Sequence, residues 1–566
     1  MRREWRIYAS LIIVRIVIAL TSFGTIHPDE HFQNPEVAAS LVFDYAGGAG
    51  APLRTWEWQG DAPCRSVAPV WLSTGAAFRL VRAMLGPRPS ARALFAAQRI
   101  AMCLLSLVVD ACIWETSRSH LALVLFASSP VTLTFLVRPF SNSLETLALA
   151  LSLLFARRVY VHRHRRRNLV PLGVALAWGV WTRVTFLAFA FPSVLAVVVT
   201  LAKQTNHADT LFRRALATLK SGSPAIAPFF LTASFLVLVD TRFYEPRELL
   251  RHLVADPSRW VVTPLNLLRY NLSTENLADH GIHPRYLHVV VNLPMLSGAG
   301  VFVVGQAVRS LWRDEPKDRK TAFTNRVLVA SVVVPLVALS IQPHQEPRFL
   351  VPLVVPIVLL APTTPLSSPR SQKRKQRRLF WSLWLVHSLL LTTLFGYLHQ
   401  GGLVPTLFRL NRGLRLDLNL NDQSVDLVFY KTFMPPRHLL VPPSSPGELA
   451  SVASITDLGG APLDVLRDAL LEIVDEEAKD DKITVGRPRT EDPSSTTYLV
   501  APAYLFDPSS FASLANDKST RQLCFDSVYE RRTSGIHVDM DRLDEMVAAE
   551  WARVGVGCTQ EKNVCA

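Results

Sequence analysis

Long apolar stretches alternate with short polar ones over the first 400 residues of the chain. Each apolar stretch is close to the roughly 20 residues that an α-helix needs to cross a bilayer. Because lipid offers no partner to unpaired backbone groups, such stretches cross membranes as helices rather than as open strands. They lie near residues 7–26, 68–86, 98–116, 120–137, 140–156, 169–183, 184–202, 222–240, 286–308, 326–342, 349–363 and 379–398. The pattern predicts an all-α polytopic membrane protein.

The basic residues decide which of these stretches cross the membrane. Lys and Arg concentrate in cytosolic loops, and the most basic loop of this chain is 157–167. If every stretch crossed, with the basic N-terminus in the cytosol, that loop would lie on the wrong side. The stretch 68–86 contains Arg79 and Arg82, so we predict that it lies in the membrane surface as an amphipathic helix. Without it, about eleven transmembrane helices remain of the twelve stretches.

This alternation assigns the polar segments to two sides. The loops 157–168, 203–221, 309–325 and 364–378, which carry most of the clustered Lys and Arg, face the cytosol. The outer side, lumenal or extracellular, receives the first loop 27–97, the loops 240–285 and 343–348, and everything after about residue 399. Chemistry on a lipid-linked substrate at the outer surface would therefore use residues from these segments.

The composition of the chain changes after residue 400, where the long apolar stretches end. Residues 495–501 have the alternation and β-branched content of a strand, and residues 462–477 have a helical pattern. We therefore predict a membrane domain at 1–400 and a small lumenal α+β domain at 401–566.

The net charge by itself suggests that the chain binds nucleic acid, but the positions of the charged residues argue against this. The formal net charge of +14 would suit nucleic acid, but the basic residues sit in short clusters between apolar stretches. With 49% hydrophobic and only 19% charged residues, the chain is expected to contact membrane lipid and no nucleic acid.

The segment 27–36 follows the first apolar stretch directly and concentrates candidate chemistry. It contains His27, Asp29, Glu30, His31 and Glu36. A carboxylate held at a membrane surface suits a general base for a hydroxyl group. Two other interpretations stay open: a metal site formed by His27, Asp29 and His31, which matches no strong zinc spacing, and a helix cap formed by Asp29.

Five further stretches bring arginines, histidines and carboxylates to the same side of the membrane. Guanidinium groups bind phosphate through two parallel hydrogen bonds. A base combined with phosphate-binding arginines fits the transfer of a group from a lipid-phosphate carrier, because phosphate is a good leaving group. Charged residues that only anchor helices are the alternative for any single stretch. The stretches are 54–58 with Arg65 and Ser66, 138–146, 240–244, 276–285 and 344–349.

The HPDEHFQ sequence at 27–33 resembles the endoplasmic-reticulum mannosyltransferases that use dolichol-phosphate mannose and have a GT-C-type fold. Within that superfamily the chain is most similar to the GPI mannosyltransferase 4 group, which adds a fourth mannose to the GPI-anchor precursor. The similarity runs in order through about residues 1–440, and the run 280–285 (HGIHPR) points to the fourth-mannose group. Gln345 departs from the pattern, because relatives often carry a basic residue there.

The resemblance implies an inverting transfer from dolichol-phosphate mannose to the GPI-precursor glycolipid, giving an α-1,2 linkage in the lumen of the endoplasmic reticulum. It implies that Asp29 is the base and that Glu30 orients the acceptor or shares that role. No metal and no cofactor are expected. The expected substrate-binding residues are His27, His31, Trp56, Arg65, His283, Arg285, His344, Glu346 and Arg348.

Three alternatives remain at this stage. A sister enzyme that adds the third GPI mannose would share most motifs. A lipid transporter or flippase would line a path with intramembrane charges, but the spans contain few of them and show no inverted repeat. A scaffold subunit without catalysis is the third.

Overall fold

The computed structural model describes residues 2–45, 51–161, 165–204, 210–247, 251, 256–278, 281–313, 319–367, 374–417, 424–443, 452–483, 495–502 and 556–559. The chain divides into two compact units. The first unit comprises Met1–Leu20, Arg54–Ala76 and Gln98–Leu391. The second unit comprises Thr21–Leu53, Ala77–Ala97 and Thr392–Ala566.

Helices account for most of the described residues. The α-helices are Arg2–Thr21, Asp29–Phe32, Pro35–Val42, Val67–Leu72, Thr74–Leu85, Ala91–Ser117, His120–Ala127, Ser141–Val161, Arg165–Thr182, Phe186–Gln204, Leu211–Tyr244, Thr263–Leu272, Thr274–Ala278, Leu293–Ser297, Gly300–Arg313, Arg319–Ile341, Val354–Leu360, Arg374–Thr393, Leu403–Asp417, Arg437–Leu440 and Leu463–Ile483. Short π-helices occupy Val131–Phe135, His288–Asn292 and Leu394–Leu398. Short 3₁₀-helices occupy Trp56–Trp58, Pro257–Arg259, Pro347–Leu353, Ala361–Thr363 and Pro365–Ser367.

Several of these helices have the length and composition of membrane spans, which makes the chain a multi-pass membrane protein. Within the described residues, five helices are long and apolar enough to cross a bilayer, and a bent pair would make six. The five are Ala91–Ser117, Phe186–Gln204, Leu211–Tyr244, Thr321–Ile341 and Arg374–Leu398. The count of eleven stays a prediction.

Three of the predicted spans are interrupted. The stretch 120–137 contains the helix His120–Ala127 followed by a π-helix. The stretch 286–308 bends by 114° between His288–Ser297 and Gly300–Leu311. The stretch 349–363 has only 3₁₀ and short α-helical segments within Pro347–Thr363. Gly298 explains the bend, because its φ of +48° is a conformation that glycine adopts without strain.

The stretch predicted to lie in the membrane surface forms two short helices, Val67–Leu72 and Thr74–Leu85. The longer has 12 residues, which gives about 18 Å at 1.5 Å per residue. Neither helix alone is long enough for the roughly 30 Å hydrocarbon core.

Close contact between helices in the first unit depends on a glycine. A Cβ atom at Gly173 would lie 2.1 Å from the carbonyl oxygen of Ala225. The helices Arg165–Thr182 and Leu211–Tyr244 can therefore approach at this point only because Gly173 has no side chain.

The second unit contains a four-stranded sheet with the order β2-β1-β3-β4. Its strands are β1 (Ser424–Phe429), β2 (Val452–Asp457), β3 (Ser495–Pro502) and β4 (Val556–Thr559). Strand β1 pairs in parallel with β2 and β3, and β3 pairs antiparallel with β4.

The helix Leu463–Ile483 connects β2 to β3, which lie on either side of β1. The strand predicted at 495–501 and the helix predicted at 462–477 are confirmed. The described strands form a mixed sheet, in which the helix provides the crossover connection that two parallel strands need. The α+β class of the whole region 401–566 stays a prediction.

Candidate active site

The acidic segment lies in the second unit and forms a short helix, Asp29–Phe32. The helix begins at Asp29 and Pro28 precedes it, so the interpretation of Asp29 as a helix cap is wrong. The Asp29 side chain is 24% exposed, and its carboxylate accepts a hydrogen bond from the amide of Gln33. His27 lies beside it, with Nδ1 3.4 Å from an Asp29 carboxylate oxygen. Asp29 is thus held in place and still accessible.

The neighbouring Glu30 is in a different environment. Glu30 and His31 are buried, with 0% and 1% exposure. One Glu30 oxygen lies 3.4 Å from the backbone nitrogen of Ile26, and the other lies 3.9 Å from His31 Nε2. These contacts suit a residue that holds the loop in place; its direct part in catalysis stays a prediction.

The residues of the possible metal site do not come together as a ligand set. His31 is buried with its ring 5.8 Å from that of His438, and His27 Nδ1 accepts the backbone N–H of Asp29. Among the residues that the structure describes, no three His, Cys, Asp or Glu side chains are arranged to hold a metal ion.

Among the described residues of the first unit, three buried arginine side chains are each paired with a glutamate. All three arginines are less than a tenth exposed. Buried guanidinium groups in such pairs are fixed in orientation, since the carboxylate binds the planar fork of donors. The pairs are Arg65–Glu57, Arg183–Glu145 and Arg348–Glu346.

The arginines gather around two shared neighbours. Ser141 Oγ accepts hydrogen bonds from Arg183 Nη1 at 2.9 Å and from Arg65 Nη1 at 3.3 Å. The ring centre of Phe349 lies 5.4 Å from the Arg183 guanidinium carbon and 5.8 Å from that of Arg348. Three cationic groups from distant parts of the sequence therefore form one cluster, which we call the arginine cluster.

The 344–349 stretch supplies one side of this cluster. Glu346 Oε1 lies 2.8 Å from His344 Nε2 and accepts a hydrogen bond from Arg348 Nη2 at 2.9 Å. Burial disfavours the charged imidazole, but the hydrogen bond to Glu346 and its negative charge outweigh burial and raise the pKa of His344. The His283 ring lies 5.6 Å from that of His344. The structure thus brings together the predicted residues His283, His344, Glu346 and Arg348.

Gln345, where relatives often carry a basic residue, has a structural role here. It is 1% exposed. Its Oε1 accepts the backbone N–H of His288 at 2.9 Å, and its Nε2 lies within hydrogen-bonding distance of the carbonyls of Arg285, Ser340 and Gln342. The neutral amide holds the turn that carries His344.

Two predicted residues of the first unit lie apart from the contacts of the arginine cluster. The Arg285 side chain donates to the carbonyl of Ile341, and Arg285 is exposed. Trp56 is 45% exposed and stacks on Tyr270 with ring centres 4.3 Å apart. An exposed aromatic face suits contact with a sugar ring better than with a phosphate.

The sequence pointed to Ser141 and Glu145 only as members of the stretch 138–146, without individual roles, and gave Arg183 no role. Thr185 Oγ1 donates to Glu145 at 2.7 Å, which adds a further contact to the Arg183–Glu145 pair. Arg183 and Glu145 carry opposite charges near the ends of predicted spans, and this is the sequence feature that could have indicated their ion pair. Asp240 is also buried, but it is fully engaged by Ser66, Val67 and Thr263 within the fold.

The known proteins that are similar to this chain in sequence are mannosyltransferases. The profile of the Alg9-like mannosyltransferase family matches residues 6–442. GPI mannosyltransferase 4 of Aspergillus oryzae is 34% identical over 465 residues, 77% of each chain. Human GPI alpha-1,2-mannosyltransferase 4 is 33% identical over 490 residues, 80% of this chain and 78% of the human protein.

Among solved structures, ArnT from Cupriavidus metallidurans bound to undecaprenyl phosphate aligns with a TM-score of 0.46 at 13% identity, covering 92% of this chain and 95% of that chain. The sequence relatives confirm the resemblance to the GPI mannosyltransferase 4 group and the assignment as a glycosyltransferase. The chain belongs to the Alg9-like mannosyltransferase family.

Proposed function

We propose that this chain transfers mannose from dolichol-phosphate mannose to the third mannose of the GPI-anchor precursor, and so adds the fourth mannose. The observation that carries the proposal is the identity of 34% to a GPI mannosyltransferase 4 over 77% of the chain. The Candida albicans relative of that name also matches over 77% of the chain, and human GPI alpha-1,2-mannosyltransferase 4 matches over 80% of it.

The reaction proposed is a single displacement with inversion at the anomeric carbon. The 2-hydroxyl oxygen of the acceptor mannose bonds to that carbon while the bond to the phosphate oxygen breaks. Dolichyl phosphate leaves with the electron pair, and a β-linked donor gives an α-1,2 product. Asp29 takes the hydroxyl proton, a role that its partly exposed carboxylate and the Gln33 contact support.

The arginine cluster is proposed to hold the donor phosphate and to stabilise the charge that develops on it. Arg65, Arg183 and Arg348 supply preorganised donors, because their glutamate partners fix the guanidinium planes before any ligand arrives. His344, whose Nε2 lies 2.8 Å from Glu346 Oε1, is proposed to contribute to binding of the same phosphate. Trp56 is proposed to contact a sugar ring of the acceptor.

A GT-C-type fold, location in the endoplasmic reticulum and a lumenal site complete the proposal. They are supported by the family membership and by the distribution of the basic loops, from which the positive-inside rule predicts one side of the membrane for the acidic segment and the 343–348 loop.

Analysis of GPI precursors in cells that lack this protein tests the proposal. We expect accumulation of a precursor with three mannoses, and disappearance of that precursor when the full-length chain is restored. Accumulation of a two-mannose precursor would instead assign the third-mannose step. A normal precursor profile would contradict a role in this pathway.

A further inference from the structure

Glu36 was left without a role by the sequence, yet it is one of the most completely engaged residues of the second unit. It is 0% exposed. Its Oε1 accepts hydrogen bonds from the backbone N–H of His438 at 2.9 Å and from His438 Nδ1 at 2.6 Å. Its Oε2 accepts the backbone N–H of Leu53 at 2.8 Å. The Glu36 carboxylate thus connects its own helix to His438 and to Leu53.

His438 connects this carboxylate to the helix that carries Asp29. Its ring is 0% exposed and lies 5.8 Å from the ring of His31 and 6.1 Å from that of Phe78. His31 belongs to the same four-residue helix as Asp29 and Glu30. The position of the imidazole therefore limits where that helix can lie, since buried rings in contact cannot shift independently.

A second set of contacts holds the chain just before this helix. The backbone N–H of Gly24 donates to the carbonyl of Gly396 at 2.8 Å, and that of Thr25 donates to the carbonyl of His399 at 3.0 Å. Phe433 contacts His399 with ring centres 5.5 Å apart. Residues from 396 onward therefore bind the catalytic loop upstream of Asp29, just as His438 binds it downstream.

We propose that residues 396–417 and 424–440 form a frame that holds the segment 24–36 in its reactive geometry, and that Glu36 and His438 are the positioning residues of that frame. The proposal rests on the assignment of Asp29 as the base. The family profile ends at residue 442, two residues after the end of this frame.

The physical effect expected is on the rate rather than on substrate binding. Displacing a catalytic group by about 1 Å can lower the rate on the order of 10²-fold. Loss of the His438 Nδ1 donor would leave Glu36 with an unpaired buried lone pair and allow His31 and Asp29 to shift. Binding of the donor phosphate, which is proposed to use the arginine cluster, is expected to be unchanged.

Two substitutions of His438 separate the hydrogen bond from ring packing. His438→Phe keeps a ring against His31 but removes the donor to Glu36. His438→Asn keeps an N–H donor close to the position of Nδ1 and loses the ring. Full-length variants are assayed in microsomes with labelled dolichol-phosphate mannose and a three-mannose GPI acceptor, and rates are normalised to the folded protein measured by size-exclusion chromatography.

We expect His438→Phe to lower kcat on the order of 10²-fold with unchanged KM for both substrates, and His438→Asn to retain at least about tenfold more kcat than His438→Phe. Asp426→Asn is the matched control, because it alters a polar contact with Ser454 in the sheet of the same unit. That control should keep the wild-type kcat.

Wild-type kcat in His438→Phe, equal losses in both variants, a loss confined to KM, or a loss explained by less folded protein would each overturn the proposal. Asp29→Asn is measured in parallel. If Asp29→Asn is active, the proposed base is wrong; if it is inactive while His438→Phe is normal, only the frame is wrong.

Discussion

The backbones of Gly24 and Gly396 cross in direct contact. Gly24 N–H donates to Gly396 O at 2.8 Å, and a Cβ atom on Gly24 would lie 2.9 Å from the carbonyl carbon and oxygen of Gly396. Backbone atoms cannot move away as a flexible side chain can. This contact therefore requires glycine at position 24 and fixes the chain five residues before Asp29, the proposed base.

Gly24→Ala is expected to destabilise the protein by about 1–3 kcal/mol, the usual effect of extra volume at a packed site. It should also lower transfer activity, because the loop that carries Asp29 would shift. Thermal unfolding in detergent and a microsomal transfer assay measure the two effects. Gly305→Ala is the control: a Cβ there meets no atom within 4 Å. Equal stability of both variants would contradict the proposed contact.

Asp29→Asn is expected to abolish mannose transfer without loss of expression. The change removes the proposed base while keeping the shape of the side chain, and a positioned base contributes about 10²- to 10⁴-fold to the rate. Asp44→Asn makes the same chemical change at an exposed position of the same loop, where Asp44 pairs only loosely with Arg82 at 3.4 Å. A transfer assay in which both variants keep full activity would refute the assignment.

Arg348→Lys is expected to lower kcat/KM by about 10- to 100-fold, since hydrogen bonds to charged groups contribute about 1.5–3 kcal/mol each. Lysine keeps the charge but loses the planar fork that Glu346 orients. Steady-state kinetics with varied donor concentration provide the measurement, and Arg269→Lys, at an exposed helical position, is the control. Unchanged kinetics in Arg348→Lys would mean that a positive charge at this position is sufficient and that the planar guanidinium group is not required.

The charge on His344 predicts a dependence of donor binding on pH. Because Glu346 raises the pKa of His344 above its ordinary 6.5, the positive charge persists above that pH and is lost as the pH rises through the raised pKa. KM for the donor should therefore increase as the pH rises, and Glu346→Gln should move this increase to lower pH. In His344→Gln the corresponding step should be absent. A KM independent of pH between about 6 and 9 in the wild type would exclude His344 from phosphate binding.

A buried ion pair in the first unit predicts an asymmetric response to mutation. Arg15 binds Asp110 through two hydrogen bonds of 2.6 and 3.2 Å and donates to Ser106 at 3.0 Å. Arg15→Leu leaves Asp110 buried and unpaired, which should cost about 3–5 kcal/mol of stability. The double variant Arg15→Leu/Asp110→Leu should be more stable than Arg15→Leu alone. Thermal unfolding in detergent measures these stabilities. If the effects of the two substitutions were simply additive, the double variant would not recover stability relative to Arg15→Leu.

The hydrophobic pattern predicted the continuous helices well, but it did not predict where helices are interrupted. The stretches 98–116 and 184–202 correspond to the helices Ala91–Ser117 and Phe186–Gln204. The stretch 286–308 is equally apolar, but Gly298 turns the chain there, and the side chain of His387 fills the space beside it. The hydropathy of a residue indicates only that the residue avoids water. It therefore does not predict a bend of the chain within an apolar environment.

The candidate site was predictable where its residues cluster in sequence. His344, Glu346 and Arg348 stand within five positions, and their contacts follow from that proximity. Arg183 and Glu145 lie on different helices, so a single sequence shows their charges but not their pairing. The Glu36–His438 contact is more remote still, because nothing local in either segment indicates the other.

The separation of Glu36 and His438 by 402 residues has a consequence for biosynthesis. At about 5–20 residues per second, translation needs on the order of 20–80 s between these two residues. During that time the loop that carries Asp29 has emerged, but its partner has not. The proposed frame would therefore form only after the described membrane helices have been synthesised, and a chain that ends before residue 438 is expected to lack it.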